Sequence, residues 1–285
     1  MASLKEIKIR LASIRNTQKI TSAMRMVSSA KLHHTQTIVE HMLEYESKLS
    51  AILRGTLSAE SDMSSPYAAV REVKQVAIVA FSSNSGLCGA FNANIWKELT
   101  VRLHQYEADG ITVRIYPIGK KVADELHKAG YQTNDSFLTI GDKPAYEDAS
   151  QLATALMELY ISAQIDRVEL LYHHFKNMAE QILTEKVFLP VSLPEADPES
   201  ASSNYILEPS AEQLLALLLP KVLHLNIYTT LLDTVTSEHA ARMLAMQTAN
   251  DNANDLIQEL TLQYNKNRQQ AITNELLDIM GGSGQ

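Results

Sequence analysis

From Ser3 to Leu57 the chain has no proline and a single glycine, Gly55. Leu4, Ile7, Leu11 and Ile14 recur at 3-4-3 spacing, and Ile20, Met24 and Val27 take up helical spacing again further on. This pattern predicts one long helix with an apolar seam. Ser3 stands three residues before Glu6, the order of a capping box, which puts the helix start close to the N-terminus. At 1.5 Å per residue such a helix runs on the order of 80 Å, more than a globular domain needs, so it must lean on an element of similar length. The C-terminal segment offers one. Met243, Met246, Asn250, Ala253, Ile257, Leu260 and Tyr264 follow a 3-4-3-4-3-4 rhythm whose one polar member, Asn250, is of the kind that fixes register. That second pattern starts near Ser210, passes Pro220, where a kink or break is expected, and stops at Gly281 and Gly282. Two long helices at opposite ends of one chain pair most simply as an antiparallel coiled coil, over residues 1–57 and 210–285.

Between them the period changes. Val73 to Phe81 reads as a buried strand, followed by the glycine-bearing loop Ser82 to Gly89 and a helix from Asn92 to Glu107. Ile111 to Ile118 is a second strand, Lys120 to Ala129 a short helix, Ala149 to Ile165 a longer one, and Arg167 to Lys176 a third strand. Such alternation implies a largely parallel sheet. Gln181 to Leu189 follows the short turn Asn177 to Glu180, which admits only an antiparallel neighbour. Pro190 to Pro209, with four prolines and a run of serines, reads as a loop. The expected fold class is therefore α/β, with a Rossmann-like domain over residues 70–209 inserted between the two coiled-coil helices.

Composition narrows the function classes. In 285 residues, 45% are apolar and 20% charged, which excludes disordered and collagen-like chains. The apolar runs Leu214 to Leu219 and Val76 to Phe81 fall short of the roughly 20 residues that span a bilayer, so a membrane link is expected only through a partner. The charged opening lacks a secretory pattern, and a cytoplasmic location is expected. A lone cysteine, Cys88, makes neither an internal disulfide nor a zinc set. The net charge of -8 is unevenly spread: Met1 to Leu32 holds seven basic residues (Lys5, Lys8, Arg10, Arg15, Lys19, Arg25 and Lys31) against Glu6 alone. A basic helix suits an anionic partner, either nucleic acid or an acidic protein surface.

Candidate chemistry is sparse. Gly86-Leu-Cys-Gly89 lies in a βα loop, where glycines can open a phosphate cradle, but the three-glycine fingerprint and the Gly-Lys-Ser/Thr ending are absent. A tight turn is the expected role, and Cys88 is expected to be packed. The adjacent pairs His33-His34 and His173-His174 point in different directions and do not chelate one metal well. No nucleophile–base or paired-carboxylate arrangement emerges, so no cofactor, metal or catalytic site is expected in the chain.

Longer motifs then carry a resemblance. Ile14-Arg-Asn-Thr-Gln-Lys-Ile-Thr-Ser-Ala-Met-Arg-Met-Val-Ser-Ser-Ala-Lys31 resembles the N-terminal signature of the gamma subunits of F-type ATP synthases. Ser237-Glu-His-Ala-Ala-Arg-Met243, Asp251-Asn-Ala-Asn-Asp-Leu256 and Tyr264-Asn-Lys-Asn-Arg-Gln-Gln-Ala-Ile-Thr-Asn-Glu-Leu276 resemble the C-terminal signature. Gly86-Leu-Cys-Gly-Ala-Phe-Asn92, Phe175-Lys-Asn177 and Leu207-Glu-Pro209 also fit. The resemblance implies a non-catalytic rotor shaft turning inside a hexamer of alternating alpha and beta subunits, with its α/β domain on the membrane rotor ring beside epsilon. Ion flow would drive rotation, and catalysis would belong to beta. It implies a peripheral place on the cytoplasmic face of a bacterial inner membrane. It also implies subunit contacts at Met24, near an acidic loop of beta, with Arg25 beside it, and at Arg242, Arg268, Gln269, Thr273 and Glu275. Gln270 and Asn274 depart from the usual family residues. Two other readings stay open on residues alone: a nucleic-acid-binding coiled-coil adaptor, and a nucleotide-dependent enzyme built on the α/β domain.

Overall fold

The computed structural model describes residues 3–59, 65–191 and 210–282. Its elements are α1 (Leu4–Ala59), β1 (Gln75–Phe81), α2 (Phe91–Ala108), β2 (Thr112–Ile118), α3 (Lys120–Lys128), α4 (Tyr146–Ile161), β3 (Arg167–Phe175), β4 (Gln181–Leu189) and α5 (Ala211–Gly282). Short 3-10 turns lie at Pro66–Ala68 and Asp135–Phe137. Most of the proline-rich segment after Val191, with the Leu207–Pro209 motif, lies outside the described residues. The chain divides into two compact units: Met1–Ser29 with Arg242–Gln285, and Ala30–Ala241.

The larger unit holds a four-stranded sheet in the order β2-β1-β3-β4. β1 pairs in parallel with β2 and β3, while β4 runs antiparallel to β3. Central β1 is covered on both sides, which explains its unbroken apolar run. Val76, Ile78 and Ala80 face Ile95, Leu99 and Leu103 of α2 and Leu126 of α3. Ala77, Val79 and Phe81 face Leu152, Leu156 and Tyr160 of α4 with Leu223, Ile227 and Leu231 of α5. By length and composition α5 includes a stretch apolar enough to cross a bilayer. Part of that apolarity is used inside the protein, since Leu223, Ile227 and Leu231 belong to the core of this sheet.

Pro220 breaks nothing: α5 passes through it as one helix. A mid-helix proline loses one hydrogen bond and crowds the preceding turn. Here Leu215, Leu219 and Leu223 are buried on either side of it, and Leu215 and Leu219 cluster with Leu53 of α1. This packing offsets the local cost. Ser210 starts the helix, its Oγ accepting from the Gln213 N–H at 3.2 Å.

In the smaller unit, the capping box forms as the spacing requires. The Ser3 N–H donates to Glu6 Oε2 at 2.9 Å and the Glu6 N–H to Ser3 Oγ at 3.2 Å. Gln18 donates to Asn254 and Arg25 to Gln247. Numbers fall on α5 as they rise on α1, so the helices are antiparallel. The α5 seam follows its expected rhythm, with Met246, Ala253 and Leu260 buried and Asn250, Ile257 and Tyr264 half-buried after each in turn.

The α1 seam requires a correction. It continues from Leu4, Ile7, Leu11 and Ile14 through Gln18, Thr21, Arg25 and Ser28, all buried or half-buried. Ile20 and Val27 are instead 61% and 57% exposed, and Met24 is half-buried at the flank. Apolarity pointed to the wrong face because small and hydrogen-bonded side chains fill the true seam. The two faces predict different sensitivities. Ile7→Ala is expected to cost about 2 kcal/mol in thermal or denaturant unfolding, whereas Ile20→Ala changes stability by less than about 0.5 kcal/mol.

Candidate partner-binding surface

On the smaller unit the side of α1 opposite the seam carries Ile9, Ile20 and Val27, all exposed, with Met26 also exposed nearby. Spacings of 11 and 7 residues return to nearly the same angle on a helix, so the three isoleucine and valine side chains form one stripe. Lys5, Lys8, Arg10, Arg15 and Lys19 are exposed along the same helix. On α5, Leu244 and Leu262 are exposed five helical turns apart, and Ile272, Leu276, Leu277, Ile279 and Met280 are exposed near the end. Beyond Ala271, the described side chains are exposed, without the buried alternation seen earlier. An apolar surface of this extent, rimmed by cations, is the mark of a partner-binding element.

The residues implicated by resemblance all belong to this unit. Met24 and Arg25 are half-buried, Arg25 being held by Gln247, and Arg242 is buried. Arg268, Gln269, Thr273 and Glu275 are exposed towards the end of α5, with Thr273 Oγ1 donating to the Gln269 carbonyl at 2.9 Å. Thus four of the seven present side chains to solvent, and Arg242 is chiefly a packed residue. Apolarity with no seam partner was the signal for Ile9, Ile20 and Val27, which spacing alone had assigned in part to the seam.

In the larger unit, the C-terminal edge of the sheet is where α/β folds commonly take ligands. Gly89 has φ 61° and Leu87, two residues before it, φ 64°, whereas Gly86 is not in the left-handed region. The loop is closed by its own side chains. Asn92 Oδ1 accepts from the Ser83 N–H at 3.0 Å, and Asn92 Nδ2 donates to Cys88 Sγ at 3.1 Å. Cys88 is buried, as expected for a packed thiol. The start of α3 is likewise capped: the Lys120 N–H donates to Asn84 Oδ1 at 2.8 Å and the Val122 N–H to Ser82 Oγ at 3.2 Å. These contacts support the tight-turn reading.

Two histidines of β3 point to opposite sides of the sheet. His173 is buried, stacks on Phe91 with ring centroids 4.3 Å apart, and burial pushes its pKa down to about 4. His174 is half-exposed and its Nδ1 lies 2.7 Å from Asp233 Oδ2. They share no ligand position, and no metal-binding group of His, Cys, Asp and Glu occurs among the described residues. On the α2 side, Tyr106 donates to Glu169 Oε1 at 2.8 Å while Arg167 pairs with the same carboxylate at 2.9 Å. Burial, then the Glu169 hydrogen bond, pushes the Tyr106 phenol up to about 12, and this cluster is a structural tie between helix and strand.

The family model for ATP synthase matches residues 3–284. The chain is 66% identical over 283 residues to the ATP synthase gamma chain of Parabacteroides distasonis, covering 99% of each. It is 53% identical over 298 residues to that of Bacteroides thetaiotaomicron, covering 100% of each. In fold it resembles a chain of the Euglena gracilis mitochondrial ATP synthase OSCP/F1/c-ring structure, with TM-score 0.68, 22% identity, and 98% and 93% of the two chains covered. A chain of the Tetrahymena thermophila mitochondrial ATP synthase central stalk/cring structure gives TM-score 0.55 at 23% identity, covering 81% and 99%. With its antiparallel terminal helices and intervening four-stranded sheet, the chain belongs to the ATP synthase gamma chain family.

Proposed function

We propose that this chain is the central rotor stalk of a bacterial F-type ATP synthase and performs no bond chemistry itself. The observation that carries the reading is the outer surface of the paired helices, where an apolar stripe and basic residues stay uncovered. Such a surface suits a shaft turning within a ring of alpha and beta subunits, which supply the catalytic sites. The functional division we propose keeps residues 1–57 and 210–285 as the shaft and 70–209 as the base domain, in contact with epsilon and the membrane rotor ring. Ion flow through that ring would turn the shaft and change the affinity of each beta subunit in succession. The complex would be peripheral, on the cytoplasmic face of the inner membrane. Family membership supports this reading, as does the internal closure of the Ser82–Gly89 loop. Affinity purification of the tagged chain from its own membranes tests it: alpha, beta and epsilon should accompany it, and the chain purified alone should hydrolyse no ATP. Recovery with nucleic acid and without those subunits would favour the adaptor reading instead.

Met24 and Arg25 offer a finer test. Met24 is half-buried beside the exposed Ile20–Val27 stripe, next to the cation of Arg25. If an acidic loop of beta meets this face, Met24→Lys adds a charge-assisted pair at one rotary angle, worth about 1 to 3 kcal/mol. A trap at one step slows that step about tenfold per 1.4 kcal/mol. In membrane vesicles, Met24→Lys should therefore impair ATP-driven proton pumping more than ATP hydrolysis, with Met24→Leu near the parent. Parent-like behaviour of the lysine variant in both assays would remove Met24 from the proposed contacts. Arg242, Arg268, Gln269, Thr273 and Glu275 are proposed as further contacts along the shaft.

A further inference from the structure

The larger unit contains a cavity of about 340 Å³ between α1, the end of β3, the middle of β4 and the middle of α5. Its size is that of a small-ligand pocket, with room for on the order of ten or more non-hydrogen atoms. Met42, Phe175 and Leu232 supply apolar walls. The charged groups facing it are unequal. Asp233 is already engaged, since Oδ1 accepts the Phe175 N–H at 2.7 Å and Oδ2 lies 2.7 Å from His174 Nδ1. Lys186 of β4 is turned to Asn226, whose Oδ1 accepts from its Nζ at 3.0 Å. Glu40 and Glu46 of α1 also line the cavity, and neither makes an ion pair among the described residues. The field of Glu46 reaches the interior. Tyr172, another wall residue, has its phenol pushed up to about 12 by burial first, then by Asp233 and Glu46.

We infer that this cavity is a binding site for a small organic cation with an apolar body, its ammonium group placed against Glu46 and its hydrocarbon part against Met42, Phe175 and Leu232. Glu40 and Glu46 outnumber Lys186, whose amide partner leaves its charge in place, so the wall attracts a cation over an anion, and the aromatic rings of Tyr172 and Phe175 in the same wall are compatible with a cation. A ligand there touches α1, the sheet and α5 at once, so its occupancy stabilises the larger unit by mass action. This goes beyond the rotor reading and does not depend on it.

Titration of the full chain with phenethylammonium, 2-phenylethanol and phenylacetate tests the site, followed by calorimetry and ligand-observed magnetic resonance. Saturable binding of phenethylammonium is expected, with the alcohol at least tenfold weaker and the carboxylate weaker still. Glu46→Gln should weaken the ammonium at least tenfold while leaving the melting temperature of the unliganded chain unchanged. Glu125→Gln, on α3 and away from the cavity, controls for general attraction of cations to an acidic protein. Absence of saturable binding, equal binding of the three probes, or equal losses in Glu46→Gln and Glu125→Gln would each overturn the assignment.

Discussion

Gly119→Val is expected to lower the melting temperature of the chain by about 10 °C, a loss of about 3 to 5 kcal/mol, while Gly86→Ala leaves it within experimental scatter. Gly119 sits between β2 and α3 with φ 95° and ψ 140°, a conformation that L side chains rarely adopt. A Cβ built there would come 2.2 Å from the Ser82 carbonyl oxygen and 2.7 Å from Ser82 Oγ. Neither obstacle can yield cheaply. The Ser82 N–H donates to the Ile118 carbonyl at 2.6 Å, and Ser82 Oγ accepts from the Val122 N–H that opens α3. Displacing Ser82 would therefore uncap α3 and disturb the junction of β1 with β2. Gly86, by contrast, has nothing within 4 Å of a built Cβ. Differential scanning calorimetry of the two variants decides the point, and comparable melting in both would show that the Gly119 approach is not a constraint on stability.

The same comparison marks what a sequence could reveal. Gly86 and Gly89 drew attention because they are close together in a loop, yet only Gly89 takes a positive φ, and the tightest backbone approach belongs to Gly119, an isolated glycine without a motif. Close approach depends on which loop crosses which, here Ser82 over Gly119, and that is a tertiary fact. Strand periods were far more legible. β1 to β4 were readable because β-branched and apolar residues cluster in each, and the turn Asn177 to Glu180 was too short for anything but an antiparallel return. Helix α4 begins at Tyr146, three residues before the expected Ala149, with Glu147 and Asp148 in the first turn, where acids favour the helix dipole.

The paired helices show a subtler limit. Along α5 the apolar residues mark the seam, so periodicity and burial agree at Met246, Ala253 and Leu260. Along α1 they part company after Ile14. The heptad continues through Gln18, Thr21, Arg25 and Ser28, and the polar groups of the first three find partners across the interface or within the helix: Gln18 with Asn254, Arg25 with Gln247, and Thr21 Oγ1 donating to the Gln18 carbonyl at 3.0 Å. Ile20 and Val27 are left outside. A helix that buries polar residues and exposes isoleucine is reserving its apolar face for something else, and this inversion becomes informative only once the seam is known. For the same reason the partner surface is legible as basic charge and motif resemblance, while two members of its apolar stripe, Ile20 and Val27, carry the spacing of a seam.

His173 gives the larger unit a dependence on pH. Its ring is 1% exposed, stacked against Phe91, with no hydrogen-bond partner for Nδ1, so the neutral form is strongly favoured and the pKa falls to about 4 from an ordinary 6.5. The nearby carboxylate of Asp233 pairs with His174 on the other side of the strand and does not relieve His173. Because the folded-state pKa lies below the unfolded one, the unfolded chain binds the extra proton first. Stability is therefore complete above pH 6.5 and declines as pH falls from 6.5 towards 4, by about 1.4 kcal/mol per unit and about 3 kcal/mol in all. His224, also lowered by burial, acts in the same direction, so the quantity to measure is a difference between variants. His173→Phe keeps an aromatic ring against Phe91 and removes the titration. Denaturant unfolding at pH 7.5 and pH 5.0 should give the parent a loss about 2 kcal/mol greater than that of the variant. Equal losses in the two would mean that His173 accepts its proton in the folded chain at no cost, and that burial at this position leaves the imidazolium satisfied.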